Sequence, residues 1–207
     1  MAFVLLSIKV YLLQIVKMNT PFIADKTYRN KDFTLTELPK AEYDNCMFIN
    51  CNFNACYLST ITFLECQFID CDLSNSKTSD TTFKDVAFEN CKLLGVLFND
   101  CNQLLMSMSF NNCQLNFASF YKVKLINTKF TNCQFEKTEF TEANVSKSVF
   151  DNCNFKYAIF FNTNIEQANF LTSYNYSIHP ENNKIKGAKF SKDQIQGLLD
   201  HYKIQIS

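Results

Sequence analysis

The chain has 207 residues, 47% of them apolar, and a formal net charge of zero. That is enough apolar mass for one domain or an elongated repeat body, and it argues against wholesale disorder. Neutrality removes any overall electrostatic reason to bind nucleic acid or an anionic membrane, and three glycines are few for phosphate-cradling or catalytic loops.

Residues 1–17 form an apolar leader, MAFVLLSIKVYLLQIVK. No basic region precedes the apolar run, Lys9 interrupts it, and no small-x-small cleavage site follows, so it fits a secretory signal poorly. It is also too short to span a bilayer. The first expectation is a non-native or mis-assigned leader, with translation starting at Met18; a short amphipathic cap is the second.

A repeat body is expected over residues 18–190. Residues 131–155 cut into fives read TNCQF EKTEF TEANV SKSVF DNCNF. A large apolar residue closes every five, and Cys, Thr, Ala or Ser stands two places before it. Five is neither the 3.6 of a helix nor the 2 of a strand. With the closing residue as centre, ten of eleven centres from Phe48 to Phe98 are Phe or Leu, and eleven of thirteen from Phe110 to Phe170. Random placement would fill only about five of these positions, so the repeat is real. Centre and small residue share one side of a short extended segment, with the residue between them turned to water. A straight strand would keep alternating, so the chain must turn a corner every five residues. Asn before the small residue, as at Asn45, Asn50 and Asn112, suits such a corner.

The expected core is Phe48, Phe53, Phe63, Phe68, Phe83, Phe88 and Phe98, then Phe110, Phe120, Phe130, Phe135, Phe140, Phe150, Phe155, Phe160 and Phe170. Cysteines occupy many of the small slots. Cys51, Cys71, Cys91, Cys113, Cys133 and Cys153 are separated by 20, 20, 22, 20 and 20 residues. If like stacks on like, one coil holds 20 residues and has four sides. About eight coils at ~4.8 Å give a rod of roughly 35–40 Å. The cysteines read as compact core filler rather than metal ligands or disulfide partners, which fits a reducing cytoplasm.

Three stretches interrupt the pattern. SNSKTSD (74–80) keeps the register but places Thr78 at a centre. CNQLLMSMS (101–109) carries a two-residue insertion, so Asn102, Gln103, Leu104, Leu105, Met106 and Ser107 are candidate partner-binding residues. A bulge with its apolar groups tucked inward is the competing reading. LTSYNYSIHPENNK (171–184) interrupts the last coils. His179 and His201, the two histidines, read as unrelated surface residues, and no acid–base constellation or nucleotide loop is present, so no catalysis, metal or cofactor is expected.

Residues 191–207 read as a terminal module. Ser191 and Gln194 form a capping-box pattern. Ile195, Leu198, Leu199 and Tyr202 fall on one face of a helix, and Ile204 and Ile206 alternate as a short strand. A helix there would close the open end of a solenoid.

This pattern resembles the pentapeptide-repeat family over residues 33–190. The resemblance implies an all-β fold, a right-handed quadrilateral β-helix with a C-terminal capping helix and short strand. ADKTYRNKDFT (24–34) and NKIKGAKFSKDQIQGLLDHYKIQI (183–206) are similar to the two ends of the quinolone-resistance subgroup. That likeness implies a cytoplasmic homodimer joined through Ile195, Leu198, Leu199, Tyr202, Ile204 and Ile206. It also implies a non-catalytic protein that engages a type II topoisomerase, DNA gyrase or topoisomerase IV, by partial DNA mimicry and protects it from quinolones. Neither direct nucleic-acid contact nor membrane attachment is implied. Residues 42–100 carry net charge −6 and residues 121–203 net +3, so only the first half suits mimicry. The alternative is a pentapeptide-repeat scaffold for another protein partner.

Overall fold

A computed structural model describes residues 20–205; the leader and Ile206 lie outside the described residues. The chain winds as a coil with four faces, A to D, and each face receives one five-residue unit per turn. Face B is the continuous one. Its nine parallel strands run from Thr27–Arg29 to Lys189–Phe190. Their registers pair Phe48 with Phe68, Phe68 with Phe88, Phe88 with Phe110 and Phe110 with Phe130. The 22-residue step from Phe88 to Phe110 is where the sequence places its insertion. Face A is stranded only in its first part, at Phe22–Ala24, Glu42–Asp44, Thr62–Leu64 and Thr82–Lys84. Beyond the insertion it continues as single parallel bridges, Lys124 to Asn144 to Asn164 to Lys184.

The corners explain the period. At most corners the residue two places past the centre adopts a left-handed backbone, among them Asn45 (φ 48°), Asn50 (φ 50°) and Asn112 (φ 52°). Asn tolerates that region better than most residues, and here its side chain also links coils. Asn50 Nδ2 donates to Asn30 Oδ1 at 2.8 Å, Asn112 to Asn90 at 2.9 Å and Asn152 to Asn132 at 2.7 Å. Many of the corners close as tight turns, as where Cys56 N donates to the Phe53 carbonyl at 3.0 Å and Ile61 N to Leu58 at 3.2 Å.

Inside, like stacks on like. On face B, Tyr28, Phe48, Phe68, Phe88, Phe110, Phe130, Phe150, Phe170 and Phe190 form one ladder of near-parallel rings. Centroid spacings run from 4.7 Å at the Phe150–Phe170 step to 5.3 Å at the last. Rings on adjacent faces meet edge-on, as do Phe130 and Phe135 at 75°. Both contacts suit an aromatic quadrupole better than an eclipsed sandwich. All sixteen expected core phenylalanines are buried.

The small slots do more than fill space. Cys71 Sγ donates to the Phe48 carbonyl at 3.2 Å, Cys91 to Phe68 at 3.3 Å and Cys113 to Phe88 at 3.4 Å. Thr81, Thr138 and Thr163 make the same bond with hydroxyls, at 2.8, 2.7 and 2.8 Å. Each donates to a carbonyl of the preceding coil, so Cys and Thr can occupy a buried slot without leaving their own polar atom unpaired.

Three local expectations need correction at the C-terminus. Lys192–Leu198 and Asp200–Tyr202 are 3₁₀ turns rather than one α-helix. Ser191 Oγ accepts from Asp193 N, while Gln194 Oε1 reaches away to accept from Asn175 N at 3.3 Å, so no capping box forms. Lys203 takes a left-handed conformation (φ 51°) and turns the chain off the stack, and Ile204 lies in no strand.

Candidate interaction surface

Insertion and face A meet at one place. Asn102 still pairs with Thr82 one coil earlier, and Met108 pairs with Val86. Three residues lie between the partners on the upper coil and five on the lower, so the surplus is Met106 and Ser107. Ser107 is pinned by four hydrogen bonds, one of them from Asp85 N to its hydroxyl oxygen at 2.7 Å. Its N donates to the Phe83 carbonyl at 3.0 Å, its carbonyl accepts from Val86 N at 3.1 Å, and its hydroxyl donates to Asp85 Oδ1 at 2.7 Å. Gln103, at what would be a centre, is exposed; Met106 packs against the core instead. Leu105 holds the corner at φ 59°. The outcome is a small fixed bulge with Leu104 72% and Leu105 67% exposed, so the inward-tucked reading holds only for Met106 and the buried Met108. Asn102 Oδ1 braces the bulge by accepting from Leu104 N at 3.0 Å.

The other two interruptions are quieter. Thr78 is buried and its hydroxyl donates to the Leu97 carbonyl at 2.9 Å, which lets a polar residue occupy a core centre. The 171–184 stretch keeps the 20-residue coil, with Asn154 bridging to Tyr174 and Asn164 to Lys184, and buries Tyr176 and Ile178. Burial pushes the Tyr176 phenol up to about 12.

The C-terminal 3₁₀ turns dock on that stretch. Ile178 N donates to the Gly197 carbonyl at 2.8 Å and Tyr202 Oη to Glu181 Oε1 at 2.9 Å. His179 and His201 come together, with ring centroids 3.9 Å apart, a contact that sequence reading missed. Their separation of about one coil is the one signal that pointed to it. Leu198 packs on the core and Leu199 is half-buried, whereas Ile195, Tyr202 and Ile204 are exposed at the rod's end.

Charge sorts by face rather than simply by half. The outward positions of face A and its following corner carry Asp25, Glu42, Asp44, Glu65 and Asp85 against Lys84 before the bulge. After the bulge they carry Lys124, Lys147, Lys184 and Lys186 against Glu166. Among the described residues the one salt bridge is Lys122–Glu142 at 3.4 Å, on another edge. No cluster of three or more metal-ligating side chains occurs among the described residues, and none of their helices is long and apolar enough to cross a membrane. All ten cysteines are free, and nine are buried.

A family profile described as pentapeptide repeat region matches residues 36–103 and 103–190. No curated protein matches the chain. Among solved structures, a trypsin-treated variant of QnrB1, described as a plasmid-mediated fluoroquinolone resistance protein, is similar with a TM-score of 0.59 and 18% identity, covering 91% of this chain and 98% of that one. Full-length QnrB1 is similar with a TM-score of 0.53 and 19% identity, covering 88% of this chain and all of that one. At this identity the likeness concerns the right-handed quadrilateral fold.

Proposed function

The chain belongs to the pentapeptide-repeat family, and from that premise we propose that it is a non-catalytic binding protein that engages DNA gyrase or topoisomerase IV and shields it from quinolones. The observation that carries this reading is the exposed Leu104–Leu105 bulge set against an acidic face on an otherwise regular rod. Irregular backbone on a rigid scaffold is where specific contacts concentrate, and paired exposed leucines are an unusual feature to leave in water. The acidic positions of face A recur at coil spacing, ~4.8 Å, and offer a line of negative charge to a site built for phosphates. The likeness to QnrB1 in fold supports the same direction. Homodimer formation through the exposed Ile195, Tyr202 and Ile204 and a cytoplasmic location belong to this proposal, the latter in keeping with ten free thiols.

The test is gyrase supercoiling in the presence of a quinolone, with the full chain added at increasing excess. Restored supercoiling, lost when Leu104 and Leu105 are both changed to Ser, is the expected result. An unchanged quinolone inhibition curve together with no measurable binding to gyrase or topoisomerase IV rejects the reading. It would leave a pentapeptide-repeat scaffold for another protein, which the basic second half of face A favours.

A further inference from the structure

We propose that face A is self-complementary, and that a second copy of the chain docks on it side by side and antiparallel. The argument rests on where the charges stand, independently of any topoisomerase partner. Four coils of face A precede the bulge, centred on Ile23, Tyr43, Phe63 and Phe83, and four follow it, centred on Leu125, Val145, Ile165 and Ile185. The outward charge is five acids to one lysine before the bulge and four lysines to one acid after it. Among the described residues none of these takes part in a salt bridge.

A two-fold axis lying across the face at the bulge superposes each coil of one copy on its mirror-numbered coil in the other. An isologous contact of this kind makes residue i meet residue j and j meet i, so every favourable pair occurs twice. The axis keeps the corner of one copy over the same corner of its partner. Glu65 of the third coil then faces Lys147 of the seventh. Asp25 of the first coil falls beside Lys184 and Lys186 of the ninth. At the axis the exposed Leu104 and Leu105 meet their own copies, which removes four large apolar side chains from water. Three like-charged pairs oppose the arrangement, Glu42 and Asp44 against Glu166 and Lys84 against Lys124, while Asp85 of the fourth coil offsets the last. Net attraction on each side of an apolar centre is the layout that gives register and orientation together. Because the same dock covers the bulge, the self-paired form withholds that surface from any other partner.

Zero-length carbodiimide cross-linking of the full chain, followed by mass spectrometry, reads this directly. Glu65 and Lys147 lie four coils apart in one chain, roughly 19 Å, so an amide between them can only join two copies. The expected result is a Glu65–Lys147 cross-link at about 50 mM salt that fades at least tenfold by about 500 mM, since exposed ion pairs are screened. Lys184→Glu with Lys186→Glu, which leaves Glu65 and Lys147 in place, weakens it severalfold, as does Asp25→Lys. Mixed one to one, the two variants recover the Glu65–Lys147 cross-link, because the reversed end of each faces an end of opposite charge in the other. These substitutions are on the surface, so circular dichroism stays unchanged. A chain that remains monomeric at low salt overturns the proposal. So does a dimer whose cross-links map only to residues 191–205, or the absence of the Glu65–Lys147 cross-link from the mixed variants.

Discussion

Gly197 approaches Tyr176 so closely that a Cβ on it would lie 2.1 Å from the Tyr176 carbonyl oxygen and 2.8 Å from the ring. The obstacle is backbone, which cannot swing aside as a side chain can. The same contact carries the Ile178 N–H to Gly197 carbonyl bond, so the terminal turns and the last coil are joined at one glycine. Gly197→Ala therefore lifts the terminal turns off the stack. A chain with this change should lose about 2–4 kcal/mol, since overpacking and a lost buried hydrogen bond act together. It should also gain protease sensitivity near residue 190 while the β signal in circular dichroism persists. Cleavage at the wild-type rate would show that the docking is not what holds the end.

Phe130 lies between Phe110 at 5.1 Å and Phe150 at 4.8 Å, with no exposed surface. Phe130→Ala opens a cavity that stacked coils on either side cannot collapse into, and costs about 3–5 kcal/mol. Phe130→Leu should cost only about 1 kcal/mol, because Leu73, Leu93 and Leu115 already fill the equivalent place on face C. Urea unfolding of both variants checks the ordering; equal losses would mean that ring stacking, rather than volume, governs the ladder.

These core relationships were legible in the sequence because one rule, repeated every five residues, determines them all. Cysteine spacing alone counted the sides and located the insertion. What escaped was local choice. Register shows that two residues are surplus between Asn102 and Met108, but not that Gln103 turns outward and Met106 takes the inward role, since that depends on which side chain the neighbouring coil accepts. The apolar spacing of Ile195, Leu198, Leu199 and Tyr202 fits α and 3₁₀ turns alike over so short a span. The contact at Gly197 selects the tighter form, in which Gln194 leaves its capping role to hold Asn175. The His179–His201 contact joins two irregular segments, where a separation of about one coil is a hint but the five-residue rule does not place the side chains.

Corners give a prediction of opposite sign. Thr60 holds a corner at φ 67°, where a β-branched residue crowds its own backbone. Its side chain is exposed, and the N–H bond to the Ser79 carbonyl at 3.0 Å does not involve it. Thr60→Gly should stabilise the rod by about 1 kcal/mol, relief of left-handed strain outweighing the entropy added to the unfolded chain. An increase in the urea midpoint without a change in slope is the expected reading. A decrease would show that the backbone freedom gained on unfolding is the larger effect.

The buried thiols make the fold sensitive to alkali. Burial pushes Cys66 and Cys101 up to about 12 from an ordinary 9.0, and raises Cys51 and Cys56 as well. A thiol held above its unfolded value is neutral in the fold when the open chain has already released its proton. Its contribution is thus complete below pH 9, shrinks as pH rises, and is gone above about 12. Within that window each such thiol should remove up to about 1.4 kcal/mol of stability per pH unit. Cys66→Ser keeps a donor for the Tyr43 carbonyl, which Cys66 Sγ meets at 3.3 Å, yet has nothing to titrate. The variant should therefore lose less stability than the parent between pH 9 and 10.5, measured by urea midpoint under reducing conditions. Parallel pH profiles for the two chains would mean that Cys66 is not held neutral by the fold.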